Sequence, residues 1–157
     1  MLKYLAMSKG KGIKIISENR KAHFNYFLSD FLECGIALKG TEIKSIRVKG
    51  ATIGDSYIVI RNLEAEIINM YIPPYDQGNI FNHDPLRTRK LLMHKKEILW
   101  YDRKIRTEGY TLVPTKIYLS NGRAKVEIAL AKGKKNYDKR ETIKKRDIER
   151  DLAKNGY

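Results

Sequence analysis

The sequence predicts an α+β protein that is mainly β. The expected form is a small closed antiparallel barrel of the OB type, with two or three flanking helices and a basic C-terminal tail. Three observations carry this. Apolar and polar residues alternate along several short runs, the period of a half-buried strand. Asn121-Gly122 stands between two such runs, and this pair signals a type I′ hairpin turn because both central residues need positive φ. Two other stretches, 41–50 and 84–109, carry the start and stop residues of helices.

Residues 1–18 hold several Lys and Gly with little periodicity and are expected to be a mobile arm. The barrel is expected over 19–130 and the tail over 131–157. The aromatic and aliphatic run from Ala22 to Leu38, with Gly35 inside it, suits two strands or one long strand with a bulge. In "GTEIKSIRVKG", Thr41 is the expected N-cap and Gly50 the stop. Next comes a hairpin in which Tyr57, Val59 and Arg61 alternate against Ile58 and Ile60, with a turn near Asn62. A second helix is expected from Asp84 as N-cap and Pro85 as first residue. Its apolar stripe is Leu91, Ile98 and Ile105, with Leu92 and Leu99 beside them; Gly109 ends it, and His94 marks a kink or a second start. In the last hairpin Val126, Ile128 and Leu130 face one way, Lys125 and Glu127 the other.

Past Leu130 the chain has ten Lys/Arg against five Asp/Glu. Ile143 and Leu152 fall on opposite faces of a helix, so no wide apolar stripe exists, while Glu141 and Lys145 form a favourable i,i+4 pair. The tail is expected to be unfolded alone and helical on a partner; a solvated helix resting on the body is the alternative.

The 157 residues carry a net charge of +14, which points to an acidic polymer, nucleic acid first. A membrane is not expected: no basic helix has a bulky apolar face, and no apolar run nears the roughly 18 residues of a spanning helix. The N-terminus lacks the pattern of a secretory signal. Cys34 is the single cysteine, so no internal disulfide forms, which fits a reducing cytoplasm. Its apolar setting, "FLECGIAL", suits a buried inert thiol. His23, His83 and His94 have no Cys or His at ligand spacing, and no GxxxxGK[ST] loop is present. Glu42-x-Lys44 is similar to half of a nuclease metal site, but that spacing arises often by chance and no convincing partner acid precedes it. These residues favour a non-enzymatic RNA binder with no cofactor and no small-molecule substrate. RNA is preferred to duplex DNA because no helix-turn-helix or finger pattern appears, and basic barrels with aromatics suit unstacked bases. The stretch from Asn82 to Ile98 crowds basic side chains together; as a helix it places Arg87, Lys90 and His94 on one face.

Several segments resemble the small protein B (SmpB) family, the partner of transfer-messenger RNA. They are "NRKAHFNYF", "GTEIKSIR", "PPYDQGNIFNHDPLRTRKLLMHKKEI", "TLVPTKIY" and "KVEIALAKGKKNYDKRE", in order from Asn19 to Glu141. The resemblance implies an OB-like body that binds the tRNA-like domain of that RNA. It also implies entry into stalled ribosomes with alanyl-charged RNA and elongation factor Tu, and a tail reaching from the decoding centre into the empty message channel. It implies no catalysis. Carried over by motif, Asn19, Arg20, Lys21, Glu42, Lys44, Ser45 and Arg47 are expected at RNA. So are His83, Arg87, Arg89, Lys90, His94, Lys95, Lys132, Lys134 and Lys135. Lys44 and Arg47 would grip phosphates, while Glu42 would accept from a base or orient a basic neighbour. Tyr137, Asp138, Lys139, Arg140, Lys144 and Lys145 are expected at the ribosome, Tyr137 as a stacking ring. The rival readings are a generic ribosomal-RNA or tRNA-binding OB protein and a small ribonuclease.

Overall fold

A computed structural model describes residues 12–154. The elements run β1 (Ile13–Glu18), α1 (Arg20–Asn25), β2 (Tyr26–Ile36), α2 (Gly40–Lys49), β3 (Tyr57–Arg61) and β4 (Glu64–Ile68). After a short 3-10 turn (Asn79–Phe81) come β5 (Arg89–Leu92), α3 (Lys95–Glu108), β6 (Thr111–Ser120), β7 (Arg123–Gly133) and α4 (Asn136–Lys154). The seven strands form one antiparallel sheet in the order β1-β6-β3-β4-β5-β2-β7, and β6 also pairs with β7.

Local chemistry accounts for both tight hairpins. Asn121 and Gly122 take positive φ of 51° and 79°, the type I′ geometry that their side chains tolerate. The β3–β4 turn has the same form at Asn62 and Leu63. β2 is one strand with a bulge: its register against β7 slips between Ser29 and Leu32, Asp30 sits at positive φ, and the Tyr101 hydroxyl donates to the Asp30 carbonyl at 2.6 Å.

Several expectations change. Residues 13–18, placed in the arm, form β1, which pairs with the C-terminal half of β6; residues 1–11 lie outside the described residues. α1 is a six-residue helix opened by Asn19, whose side chain accepts from the Ala22 N–H. The α2 N-cap is Lys39 rather than Thr41, and the Glu42 carboxylate closes it by accepting from the Lys39 N–H at 2.8 Å. The helix expected from Pro85 is absent over 85–92. The Asp84 side chain accepts from Leu86 N–H and its carbonyl from Arg87 N–H, making a turn. The chain then extends as β5 between β4 and β2. The helix begins at Lys95, with His94 in the cap position and Glu97 accepting from its N–H. Leu91 lies in the core, Ile105 packs against it and Ile98 is buried, from two elements rather than one. β7 ends at Gly133, three residues past the expected boundary, and α4 follows from Asn136.

One core gathers the inner faces of the strands, with Ile46 from α2 and Tyr101 from α3. Cys34 lies in it, and burial pushes its thiol up to about 12. The middle of β7 is buried on both faces, so Glu127, expected outside, is buried too. One of its oxygens accepts from the Thr115 hydroxyl; the other has no hydrogen-bond partner, with Lys116 Nζ 3.8 Å away. Desolvation raises its carboxyl to about 7.

Candidate nucleic-acid interface

Helical spacing splits the α2 motif into two sides. Glu42, Ser45 and Ile46 point inward; Lys44, Arg47, Val48 and Lys49 are exposed. The Ser45 hydroxyl donates to the Pro73 carbonyl, which ties the loop 73–81 beside the helix. Lys49 Nζ bonds the Asp76 carboxylate at 2.6 Å, and Lys44 Nζ stands 5.8 Å from the Tyr75 ring centre. Asn82 closes the loop base, accepting from Tyr75 N–H and donating to Tyr75 carbonyl. At the tip, Ile80 and Phe81 are 88% and 82% exposed. Arg47 donates to the Gly122 carbonyl at 3.1 Å, so this surface sits at the turn end of the β6–β7 hairpin. A cation beside the half-buried Tyr75 ring, with Phe81 exposed at the tip, offers both phosphate and base contacts. Tyr75, Ile80 and Phe81 were not among the expected site residues; the aromatic-rich, glycine-containing "PPYDQGNIF" was the available signal.

Behind that surface lies an ionic hub. Glu42 and Arg89 are both 0% exposed. The Glu42 carboxylate accepts from Arg87 and from Arg89 Nε as well as from Lys39 N–H. Arg89 also donates to the carbonyls of Met70 at 2.6 Å and Pro85 at 3.2 Å, and Arg87 to that of Ala37 at 3.4 Å. Burial alone would raise the Glu42 pKa, but the hydrogen bonds from Arg87, Lys39 and Arg89 hold it below the ordinary carboxylate value. Burial lowers the Arg89 pKa, and Glu42 opposes that.

Five of the residues expected at RNA are buried and engaged in internal hydrogen bonds. Glu42 holds Arg87, which matches the orienting role among its two expected ones. Arg89 is enclosed. Ser45 anchors a loop. His83 is buried, with Nδ1 3.0 Å from Thr41 Oγ1 and Nε2 donating to the Ile72 carbonyl at 3.0 Å. Asn19 is buried too, donating to the Pro114 carbonyl at 2.8 Å. Arg87, Lys90 and His94 do not share a helix face: they occupy a turn, β5 and the α3 cap. Lys90, His94 and Lys95 nevertheless line one groove with Glu33, Leu92 and Lys125.

A second cationic surface lies at the other end of the β6–β7 hairpin. There Ala22 of α1 packs on Val113 and Ala131. Ten residues of β6 separate the two ends, about 30 Å of strand. Arg20 and His23 of α1 line a groove with Lys145, Arg146 and Arg150 of α4, opposed by Glu149. Lys21 pairs with Asp55 at 2.9 Å. Lys134 Nζ donates to the Thr142 hydroxyl at 2.8 Å and sits 5.1 Å from the Phe27 ring; Lys132 Nζ is 4.6 Å from the Tyr110 ring. Lys135, Arg140, Lys144 and Lys145 are exposed, while Asp138 and Lys139 are partly covered. Tyr137 is in the first turn of α4, but its side chain lies outside what is described. Among the described residues no group of three His, Cys, Asp or Glu side chains could hold a metal ion, and no helix is long and apolar enough to cross a membrane.

Most of the chain is similar to known proteins. A family model, SmpB protein, matches residues 16–156. The SsrA-binding protein of Oenococcus oeni is 55% identical over 147 residues, covering 94% of this chain and 95% of that protein. That of Bacillus subtilis is 52% identical over 148 residues, covering 94% of each. A chain of the solved structure "tmRNA-SmpB: a journey to the center of the bacterial ribosome" superposes with a TM-score of 0.64 at 44% identity, covering 78% of this chain and 87% of that one. Matched by the family model over nearly its whole length, the chain belongs to the SmpB family.

Proposed function

We propose that this chain binds the tRNA-like domain of transfer-messenger RNA and carries it to stalled ribosomes for trans-translation. The observation that carries the reading is the pair of cationic surfaces at opposite ends of one hairpin, whose ten-residue β6 makes about 30 Å of strand. A protein that joins two RNAs needs two such faces. One is α2 with the Tyr75–Phe81 loop, suited to folded RNA with accessible bases; the other is α1 with the start of α4, leading into the tail. Relatives named SsrA-binding protein, and a neighbour named with tmRNA and the bacterial ribosome, support the choice of partners.

The strand pairings run β6–β3–β4–β5–β2–β7 and back to β6, which supports an OB-type closed barrel as the body. α4 leaves Ile143, Ile148 and Leu152 exposed and buries little, so its helix gains its stability on the ribosome, where the tail enters the decoding centre and message channel. Tyr137, Lys139, Arg140, Lys144 and Lys145 act there. The protein is a cytoplasmic carrier rather than a catalyst, and it travels with alanyl-charged RNA and elongation factor Tu. The test is recovery of the protein from bacterial cells with its RNA, followed by sequencing, and reconstitution of tagging on ribosomes stalled without a stop codon. Enrichment of transfer-messenger RNA and tagging that depends on the protein are expected. Recovery of bulk tRNA or ribosomal RNA alone, with no tagging, refutes the reading.

A further inference from the structure

α3 turns Ile98, Tyr101 and Ile105 toward the sheet. On the opposite side, at helical spacing, stand Lys96, Leu99, Trp100 and Arg103. Leu99 and Trp100 remain 44% and 37% exposed, an unusual position for the two largest apolar side chains on that side. Apart from Lys95 at its start, the other charges of the helix are committed: Lys104 to Glu108 at 2.9 Å, Arg106 to Asp102 at 3.1 Å, Glu97 to the His94 N–H. No carboxylate among the described residues pairs with Lys96 or Arg103.

The indole is held rather than loose. The Tyr101 ring meets it edge-on, with centroids 5.0 Å apart and planes at 88°. Lys104 Nζ lies 5.4 Å from its centroid, a cation over one of the ring's two faces. Lys96 and Arg103 are seven residues apart, about 10 Å along the helix. An oriented ring between two unpaired cations matches a nucleotide: a base for the indole and phosphates for the cations on either side. Two apolar side chains among so much positive charge are too few for a protein–protein core.

We infer that this face of α3 is a third RNA contact, separate from the α2 and α1–α4 surfaces, where Trp100 stacks an unpaired base and Lys96 and Arg103 take its flanking phosphates. The inference rests on the RNA-carrier reading above. The unpaired base belongs either to transfer-messenger RNA or to ribosomal RNA.

Trp100 is the single tryptophan of the chain, so indole emission reports this site alone. The full-length protein is titrated separately with transfer-messenger RNA, with small ribosomal subunits and with a blunt RNA duplex as control. Binding is followed independently by the anisotropy of a dye on the RNA or subunit. Emission should fall by half or more as one of the first two saturates, and that arm names the source of the base; the duplex should leave it nearly unchanged. For the same partner, Trp100→Ala should weaken binding about tenfold and Trp100→Phe much less, because a ring remains. If Trp100→Ala lowers the melting midpoint, the surface pair Lys96→Glu with Arg103→Glu takes its place and should weaken binding at least tenfold. Saturation by anisotropy with unchanged emission, and wild-type affinity in the variants for both partners, overturns the inference and leaves the carrier reading standing. No binding to either partner overturns both.

Discussion

Replacing Glu42 with alanine tests the ionic hub directly. The carboxylate accepts from Arg87, Arg89 and the Lys39 N–H, and neither Glu42 nor Arg89 reaches solvent. Removing it leaves the Arg89 guanidinium buried with backbone carbonyls as partners and no counter-charge. Breaking one side of a buried pair costs about 3–5 kcal/mol. A typical domain has about 5–15 kcal/mol in total, so the variant should remain folded but fall far down the urea scale. The α2 N-terminus also loses the closing carboxylate of its cap, and Arg87 loses its tether. RNA affinity should therefore fall although a negative charge has been removed. The pH dependence has a definite sign. The folded Glu42 pKa lies below the ordinary value, so its stabilisation is fully present above that value and is lost as pH falls through the folded pKa. The acid limb of unfolding should be shallower in Glu42→Ala than in wild type. Urea unfolding at neutral pH, repeated with Arg89→Met and the double variant, measures the coupling; the double variant should recover much of the loss. Unfolding within about 1 kcal/mol of wild type, or RNA affinity that rises, would show that the hub does not organise this surface.

Affinity for transfer-messenger RNA should drop steeply with salt, the log–log slope changing by roughly 0.7–0.9 for each phosphate contact; Lys44→Ala should remove about one contact, and filter binding across a salt series checks both. Glu127→Gln should stabilise the protein at pH 8 and scarcely at pH 4. The folded carboxyl titrates at about 7 while the unfolded chain releases the proton near the ordinary value, so the wild type loses stability as pH rises between the two and the variant does not. Melting midpoints across that range decide it; parallel wild-type and variant curves would contradict it. Deleting residues 139–157 should lower the midpoint by only a few degrees, since α4 holds the body through few contacts such as Lys134–Thr142 and Arg146 over Phe24. The truncated protein should keep most RNA affinity and lose tagging on stalled ribosomes, and the isolated tail peptide should show little helix by circular dichroism; full-rate tagging by the truncated protein would refute the role of the tail.

What the sequence made legible was local. The Asn121-Gly122 turn and the β3–β4 hairpin depend on neighbours in sequence, and both formed as read. β1 was not legible because Ile13–Glu18 becomes a strand only by pairing with β6, a hundred residues later. The stretch after Pro85 satisfied a helical pattern, yet Arg89 is drawn inward by Glu42, 47 positions away, and β5 pairs on both sides. No local pattern encodes such a partner. The α2 motif was more legible than the reading made of it: helical spacing alone separates Glu42, Ser45 and Ile46 from Lys44, Arg47 and Val48. The family resemblance marked all of the motif as functional and offered Glu42 an orienting role as one of two readings. The exposure of Ile80 and Phe81 depends on how Asn82 and Ser45 hold their loop, which composition does not reveal.

The state of Cys34 has a practical consequence for labelling chemistry. Its sulfur is enclosed by the core, and burial pushes its ionisation to about 12. Maleimide and iodoacetamide reagents attack the thiolate, so at neutral pH the native sulfur is both unreachable and in the unreactive form. A cysteine introduced at Val48, which is 74% exposed on α2, will react selectively without first removing the native one. A second chain labelled at Lys144, on the exposed part of α4, gives the matching probe at the opposite end. Fluorophores placed this way can time when each end of the molecule meets its own RNA, on a protein whose interior is chemically unaltered.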